Sequence, residues 1–235
     1  MAAPPLTIGL AGSLHVREER LSTRNDSCRL LYVSDIHLRR TRAHQLCAQV
    51  FQPVRSSEAD AVLLGGGLVD GPAELGALCS LVGALEGLAP VFAVAGNHDR
   101  RVGLHRVRRA VESGGGEWIH AGAARLAHGS RVITVSGPDA PSLPAGDFRV
   151  LCAHNPRVWK AARRRGYDLV LAGHLHGCQV VAFEYRGRLY PGALFYPSCC
   201  LRHQHHSSRL VVSRGVSDLV PIRWRCPREV VVCLV

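Results

Sequence analysis

The chain has 235 residues, 47% of them apolar, which suits one sizeable domain with a full hydrophobic core and excludes a disordered polymer. The formal charge is +11, carried by arginine with Lys160 as the single lysine. A basic surface draws anionic partners such as phosphorylated substrates, nucleic acid or acidic lipid headgroups, although an arginine-biased composition can also stand without a partner.

In chain order, "RLLYVSD" (29–35) reads as a buried strand. Residues 40–57 are predicted helical, with Pro53 expected to kink or end that helix. "DAVLLGG" (60–66) is a second strand, and "PAELGALCSLVGALEG" (72–87) has helical spacing with Pro72 in its first turn. "PVFAVAG" (90–96) is a third strand, and residues 100–113 are expected to form one basic helix. "RVITVSG", "FRVLCAH" and "YDLVLAGH" are further strands, with a short helix over 156–165 between the last two. "CQVVAFEY", "RLYPGALFY", "SRLVVSRGV" and "EVVVCLV" make the C-terminal half strand-rich. The pattern implies an α/β chain with two sheets sharing a core and helices outside.

The polar residues gather where the strands stop. "SDIH" places Asp35 and His37 two apart, on one face of an extended chain. "GNHD" supplies Asn97, His98 and Asp99, "CAHNP" supplies His154, and "GHLHG" supplies His174 and His176. Any one of these alone is an ordinary capping or turn group. Four in succession, each after an apolar strand, point to a mixed nitrogen and oxygen site suited to Mn²⁺, Fe²⁺ or Zn²⁺.

D-x-H, G-N-H-D, H and G-H-x-H in this order resemble the calcineurin-like metallophosphoesterase superfamily, from about Arg29 to the C-terminus. "GHLHGCQ" is similar to the G-H-T-H-G-G-Q signature of a bacterial phosphodiesterase branch. "VSRGV" followed by "PIRWRCPREV" is similar to that branch's C-terminal segment. The branch includes peripheral membrane phosphodiesterases and UDP-2,3-diacylglucosamine pyrophosphatase-type enzymes. The resemblance implies a four-layer α/β/β/α sandwich of two mixed sheets, with a metal cleft at the C-terminal ends of the strands. It implies a domain over 29–235, preceded by an N-terminal extension and strand over 1–28. Asp35, His37 and His176 would hold a first divalent ion, and Asn97, His154 and His174 a second. His98 would protonate the leaving group or stabilise its charge, with Asp99 orienting its ring. The implied partner is a phosphorylated small-molecule or lipid-linked substrate.

One residue departs from this pattern. The family's G-D-x-x-D places a metal-bridging aspartate at position 67, and this chain has Gly67. The first metal position keeps a two-histidine, one-carboxylate set, while the second has no anionic ligand, so the second ion is expected to bind weakly. Asp70 is expected to keep a local role in its turn rather than to substitute. Three explanations of Gly67 stand: an engineered or inactivating substitution, a naturally silent relative that still binds a phosphate ligand, or catalysis with one metal.

The expected activity is therefore metal-dependent phosphoester hydrolysis of phosphodiesterase or pyrophosphatase type, weakened at position 67. A silent phosphate-ligand binder on the same fold is the first alternative. A nucleic-acid-binding protein or nuclease is the second, and it ranks last because few aromatics interleave with the arginines. "DRRVGLHRVRRA" and "KAARRRG" are basic at helical spacing and read first as wet helix faces. "RHQHHSS" reads as a solvated polar loop rather than a third metal site. The nine cysteines form no C-x-x-C pair, which suits a reducing compartment. No apolar stretch approaches the roughly 18–20 residues of a membrane span, and the start lacks a basic leader region. A cytoplasmic location is expected, with peripheral membrane contact open.

Overall fold

A computed structural model of the chain describes residues 6–22 and 26–235. Two six-stranded mixed sheets face each other. The first runs in the order His15–Arg20, Glu229–Leu234, Arg29–Val33, Ala61–Leu64, Val91–Ala93, Glu117–Trp118. The second runs Arg202–His205, Ser208–Val212, Leu169–Ala172, Phe148–Cys152, Arg131–Ser136, Ala123–His128. Arg29–Val33, Ala61–Leu64 and Val91–Ala93 pair in parallel, as their continuous apolar character requires for strands buried on both faces.

Three apolar layers hold the sandwich together. Leu30, Tyr32, Leu63, Val150 and Leu171 pack between the sheets. Leu31, Val62, Leu46, Leu78 and Val107 join the outer face of the first sheet to the helices Ala43–Ser57, Leu75–Glu86 and Leu104–Ser113. Trp159, Ala162, Val170 and Leu210 join the second sheet to Trp159–Arg165. The result is the expected four-layer α/β/β/α arrangement.

Several boundaries differ from expectation. Pro53 does not end its helix, which continues to Ser57 with the proline itself buried against the core. The basic helix is two helices, Asn97–Val102 and Leu104–Ser113, because Gly103 takes φ +108 between them. Within the N-terminal segment 1–28, residues 1–5 and 23–25 lie outside the described residues. His15–Arg20 pairs in parallel with Glu229–Leu234 and so forms the edge of the first sheet. The hairpin Val181–Tyr185/Arg188–Pro191 stands outside both large sheets.

A buried ion network ties the C-terminal strand to the loop beneath the site. Glu229 accepts from Arg17 Nε at 3.2 Å and from Arg214 Nε at 2.8 Å, and its backbone N–H donates to Gly215. The same loop donates Val216 N–H to the Ser34 carbonyl and Ser217 N–H to the Asp35 carbonyl. No helix among the described residues is long and apolar enough to cross a membrane.

Candidate metal centre

Asp35 leaves the end of Arg29–Val33 with φ +56, and His37 follows with φ +48. His174 and His176 leave the end of Leu169–Ala172 with φ +75 and +50. Left-handed backbone is costly for residues with a Cβ, and it collects here at four of the six expected ligands. Neighbouring loops hold it in place: Asp35 N–H donates to Gly66 and His37 N–H to Gly67.

Asp35, His37 and His176 meet in one buried cluster. Asp35 Oδ2 accepts from Ser34 Oγ at 2.8 Å and from the His174 amide at 3.0 Å. Asp35 Oδ1 has no hydrogen-bond partner, and neither has His37 Nε2. Oδ1 lies 3.8 Å from His37 Nε2, 3.6 Å from His176 Nε2 and 3.9 Å from His154 Nε2. Those spacings are too long for hydrogen bonds, but two ligands on a common cation at about 2.0–2.2 Å each lie about 3–4 Å apart. Buried polar atoms are rarely left unpaired, and a shared cation would satisfy both orphans. The residues therefore fit a divalent ion.

The imidazoles are oriented by their other nitrogens. His37 Nδ1 lies 2.6 Å from Asp70 Oδ1, His176 Nδ1 lies 2.9 Å from the Ser217 carbonyl, and His154 Nδ1 lies 3.1 Å from the Gly65 carbonyl. A proton on Nδ1 would leave the Nε2 lone pairs of His37 and His176 free for a cation. Burial works against charge on Asp35, yet His176, His37 and His154 hold its carboxyl well below the usual carboxylate range. Burial also works against charge on His37, but the adjacent carboxylates of Asp35 and Asp70 push it up to about 9. Burial takes His176 down to about 4.

Asn97, His154 and His174 also converge. Asn97 Oδ1 and His154 Nε2 are 2.8 Å apart, and His174 Nδ1 is 3.2 Å from the same nitrogen. These groups partner one another, and no side chain of the three is anionic. Asp35 Oδ1 is the carboxylate oxygen that faces both sets.

Gly67 sits between the two sets with φ +66. A Cβ there would lie 3.2 Å from Asp35 Oδ1 and 3.3 Å from His154 Cε1, so a side chain at 67 would grow into the space between them. Gly66 is different in kind: a Cβ there would come within 2.4 Å of the Gly96 amide nitrogen, which only glycine permits. Position 67 is tight but not closed.

The expected partnership of Asp99 with His98 is corrected. Asp99 is fully buried and accepts four backbone N–H groups, from Gly67, Leu68, Val69 and Gly96, at 2.7–3.1 Å. It shapes the loop that carries Gly67. The carboxylate beside His98 is Asp70, whose Oδ1 lies 2.8 Å from His98 Nδ1 and which also pairs with Arg39. Asp70 thus does more than cap its turn. Sequence reasoning also missed Gln179, whose amide donates to the Val220 and Ile222 carbonyls and accepts from Leu219 and Val220 N–H. That residue pins the 219–222 segment beside the cleft. The glutamine of "GHLHGCQ" was the available signal.

The cleft has a volume of about 550 Å³ and is walled by the metal cluster, His98, Tyr196 and Val220. A sandwich of two mixed sheets with such a cluster at the strand ends defines a metallophosphoesterase-type protein. Residues 28–213 match the calcineurin-like phosphoesterase superfamily domain, and the chain belongs to that superfamily. It is 28% identical over 221 residues to phosphodiesterase YaeI of Escherichia coli strain K12, covering 86% of this chain and 80% of that protein. It is 23% identical over 207 residues to an uncharacterized metallophosphoesterase, YkoQ, of Bacillus subtilis strain 168, covering 80% and 76%. The crystal structure of TT1561 of Thermus thermophilus superposes with a TM-score of 0.52 at 12% identity, covering 80% of this chain and 89% of that one, which speaks to the fold alone.

Proposed function

We propose that the chain hydrolyses a phosphodiester or pyrophosphate bond with a divalent metal, and that Gly67 weakens the second metal position. The observation that carries this reading is the pair of buried orphans, Asp35 Oδ1 and His37 Nε2, facing each other and His176. Asp35, His37 and His176 would hold the first ion, and Asn97, His154 and His174 would face the second. A bound divalent cation supplies Lewis acidity at a phosphoryl oxygen. His98 stands on the cleft wall with Nδ1 committed to Asp70, which leaves Nε2 to give a proton to the departing oxygen. Burial and the nearby His37 lower the His98 pKa. Hydrolysis of bis-p-nitrophenyl phosphate with Mn²⁺, lost in Asp35→Asn, tests the proposal. Turnover that persists unchanged in Asp35→Asn overturns it.

The second reading, a silent phosphate-ligand binder, is favoured by one observation: position 67 brings no carboxylate to the second set. Calorimetry showing ligand uptake without turnover at high metal would select it.

The finer reading of the substrate is a lipid-linked phosphoester met at a membrane surface. Leu194 and Phe195 are 70% and 75% exposed, and Tyr196, Leu219 and Val220 extend that apolar edge into the wall of the cleft. An exposed apolar edge of this kind suits contact with a lipid surface. Sedimentation with phosphatidylglycerol vesicles tests this, and a Leu194→Ser/Phe195→Ser variant that sediments equally well rules it out.

A further inference from the structure

A second cavity, of about 460 Å³, lies between the helix Trp159–Arg165 and the segment 197–200. Arg157, Lys160, Arg163 and Arg188 line it, and no acidic residue does. None of these four cations has a carboxylate within ion-pair distance among the described residues, whereas Arg17, Arg214 and Arg223 are each paired with one. Arg163 Nε is buried and has no hydrogen-bond partner. Gathering like charges in one cavity is unfavourable unless an anion joins them, and a buried guanidinium N–H without an acceptor adds to that cost. Aromatic groups help to fix the wall: Trp159 is buried in the outer core layer and meets the edge of His203 at a ring separation of 6.1 Å.

We propose that this cavity is an anion-binding site for a ligand carrying two or more phosphoryl groups. Four cationic side chains match the charge of a diphosphate better than that of a monophosphate, and guanidinium forks bind phosphate oxygens in pairs. The volume falls within the range of small-molecule pockets, about 300–1,000 Å³. The lining contains none of the metal-cluster residues, so the site stands whether or not the cleft hydrolyses anything.

The test uses the full chain stripped of metal with a chelator and dialysed, so that pyrophosphate cannot report on cleft metal. Isothermal calorimetry with inorganic pyrophosphate is expected to show one saturable site. Lys160→Gln/Arg188→Gln, both exposed positions, is expected to weaken it at least tenfold with an unchanged thermal midpoint. Arg163→Lys tests the buried nitrogen without removing the charge and is expected to weaken it several-fold. His176→Ala, in the metal cluster, is expected to leave it unchanged. Phosphatidylglycerol vesicles that compete with pyrophosphate identify a headgroup as the source of the phosphoryl groups, and vesicles that do not compete identify a soluble ligand. No saturable pyrophosphate binding, or binding lost in His176→Ala and kept in Lys160→Gln/Arg188→Gln, overturns the proposal.

Discussion

A side chain begun at Gly67 would start 3.2 Å from Asp35 Oδ1, the one carboxylate oxygen that faces both halves of the site. Whatever stands at 67 therefore sets how much negative charge two cations would share.

Gly67→Asp is expected to raise Mn²⁺ stoichiometry toward two and to increase bis-p-nitrophenyl phosphate turnover by about 10²-fold, the usual scale for one electrostatic stabiliser. The gain carries a stability cost. Residue 67 has φ +66, which disfavours a Cβ by about 1–2 kcal/mol, and the new Cβ would meet Asp35 Cα at 3.1 Å. Aspartate tolerates this backbone better than most residues. Gly67→Ala is the control: it should lose similar stability in urea with no gain in metal or rate. Equal activity of Gly67→Asp and Gly67→Ala would sink this account of position 67.

Metal binding at the first set should stabilise the fold, because it satisfies two buried atoms that otherwise lack partners. Mn²⁺ at about a hundred times its dissociation constant should add about 2.7 kcal/mol, visible as a rise in Tm. His176→Ala should abolish the rise. His98→Ala should keep it, since His98 lines the cleft but lies outside the Asp35 cluster.

The convergence of these side chains was legible because each group ends an apolar strand, and parallel strands bring their ends to one edge. Spacing could place Asp35 with His37, and His174 with His176, on that edge. It could not choose between Asp70 and Asp99 as the partner of His98. Asp99 is adjacent in sequence, but the helix Asn97–Val102 begins there and turns its carboxylate back to the 67–69 amides. Asp70 reaches His98 from another loop, a contact that no local pattern encodes. The pairing of His15–Arg20 with Glu229–Leu234 was hidden for the same reason: it joins segments more than 200 residues apart.

Asp70→Asn separates orientation from ligation. Asp70 touches His37, His98 and Arg39; with the two histidines it makes a neighbouring group that could hold a cation, but it lies outside the Asp35–His37–His176 set. Losing its charge should lower metal affinity or kcat by about 10–100-fold, the usual effect of removing a group behind a ligand. KM should change little. Asp99→Asn should instead lower thermal stability, because Asp99 organises four backbone amides. A kcat unaffected in Asp70→Asn would remove Asp70 from the catalytic arrangement.

The last prediction concerns pH and the buried network under the site. Burial raises the Glu229 carboxyl, but Arg17 and Arg214 outweigh it and hold its pKa below the ordinary value. A carboxyl lowered in the folded state favours folding above its unfolded pKa, near about 4.3, and that contribution fades as pH falls through the folded value. Glu229→Gln leaves Arg214 without its anion and Arg17 with Glu19 alone, and should cost about 3–5 kcal/mol at pH 7. Urea midpoints of the wild type and the variant should therefore differ most at neutral pH and converge under acid conditions. Because Glu229 also anchors the loop whose Ser217 carbonyl lies against His176, the variant should bind Mn²⁺ more weakly at neutral pH even where it remains folded. A constant gap in midpoint from neutral to acid would show that Glu229 acts by shape and not by charge.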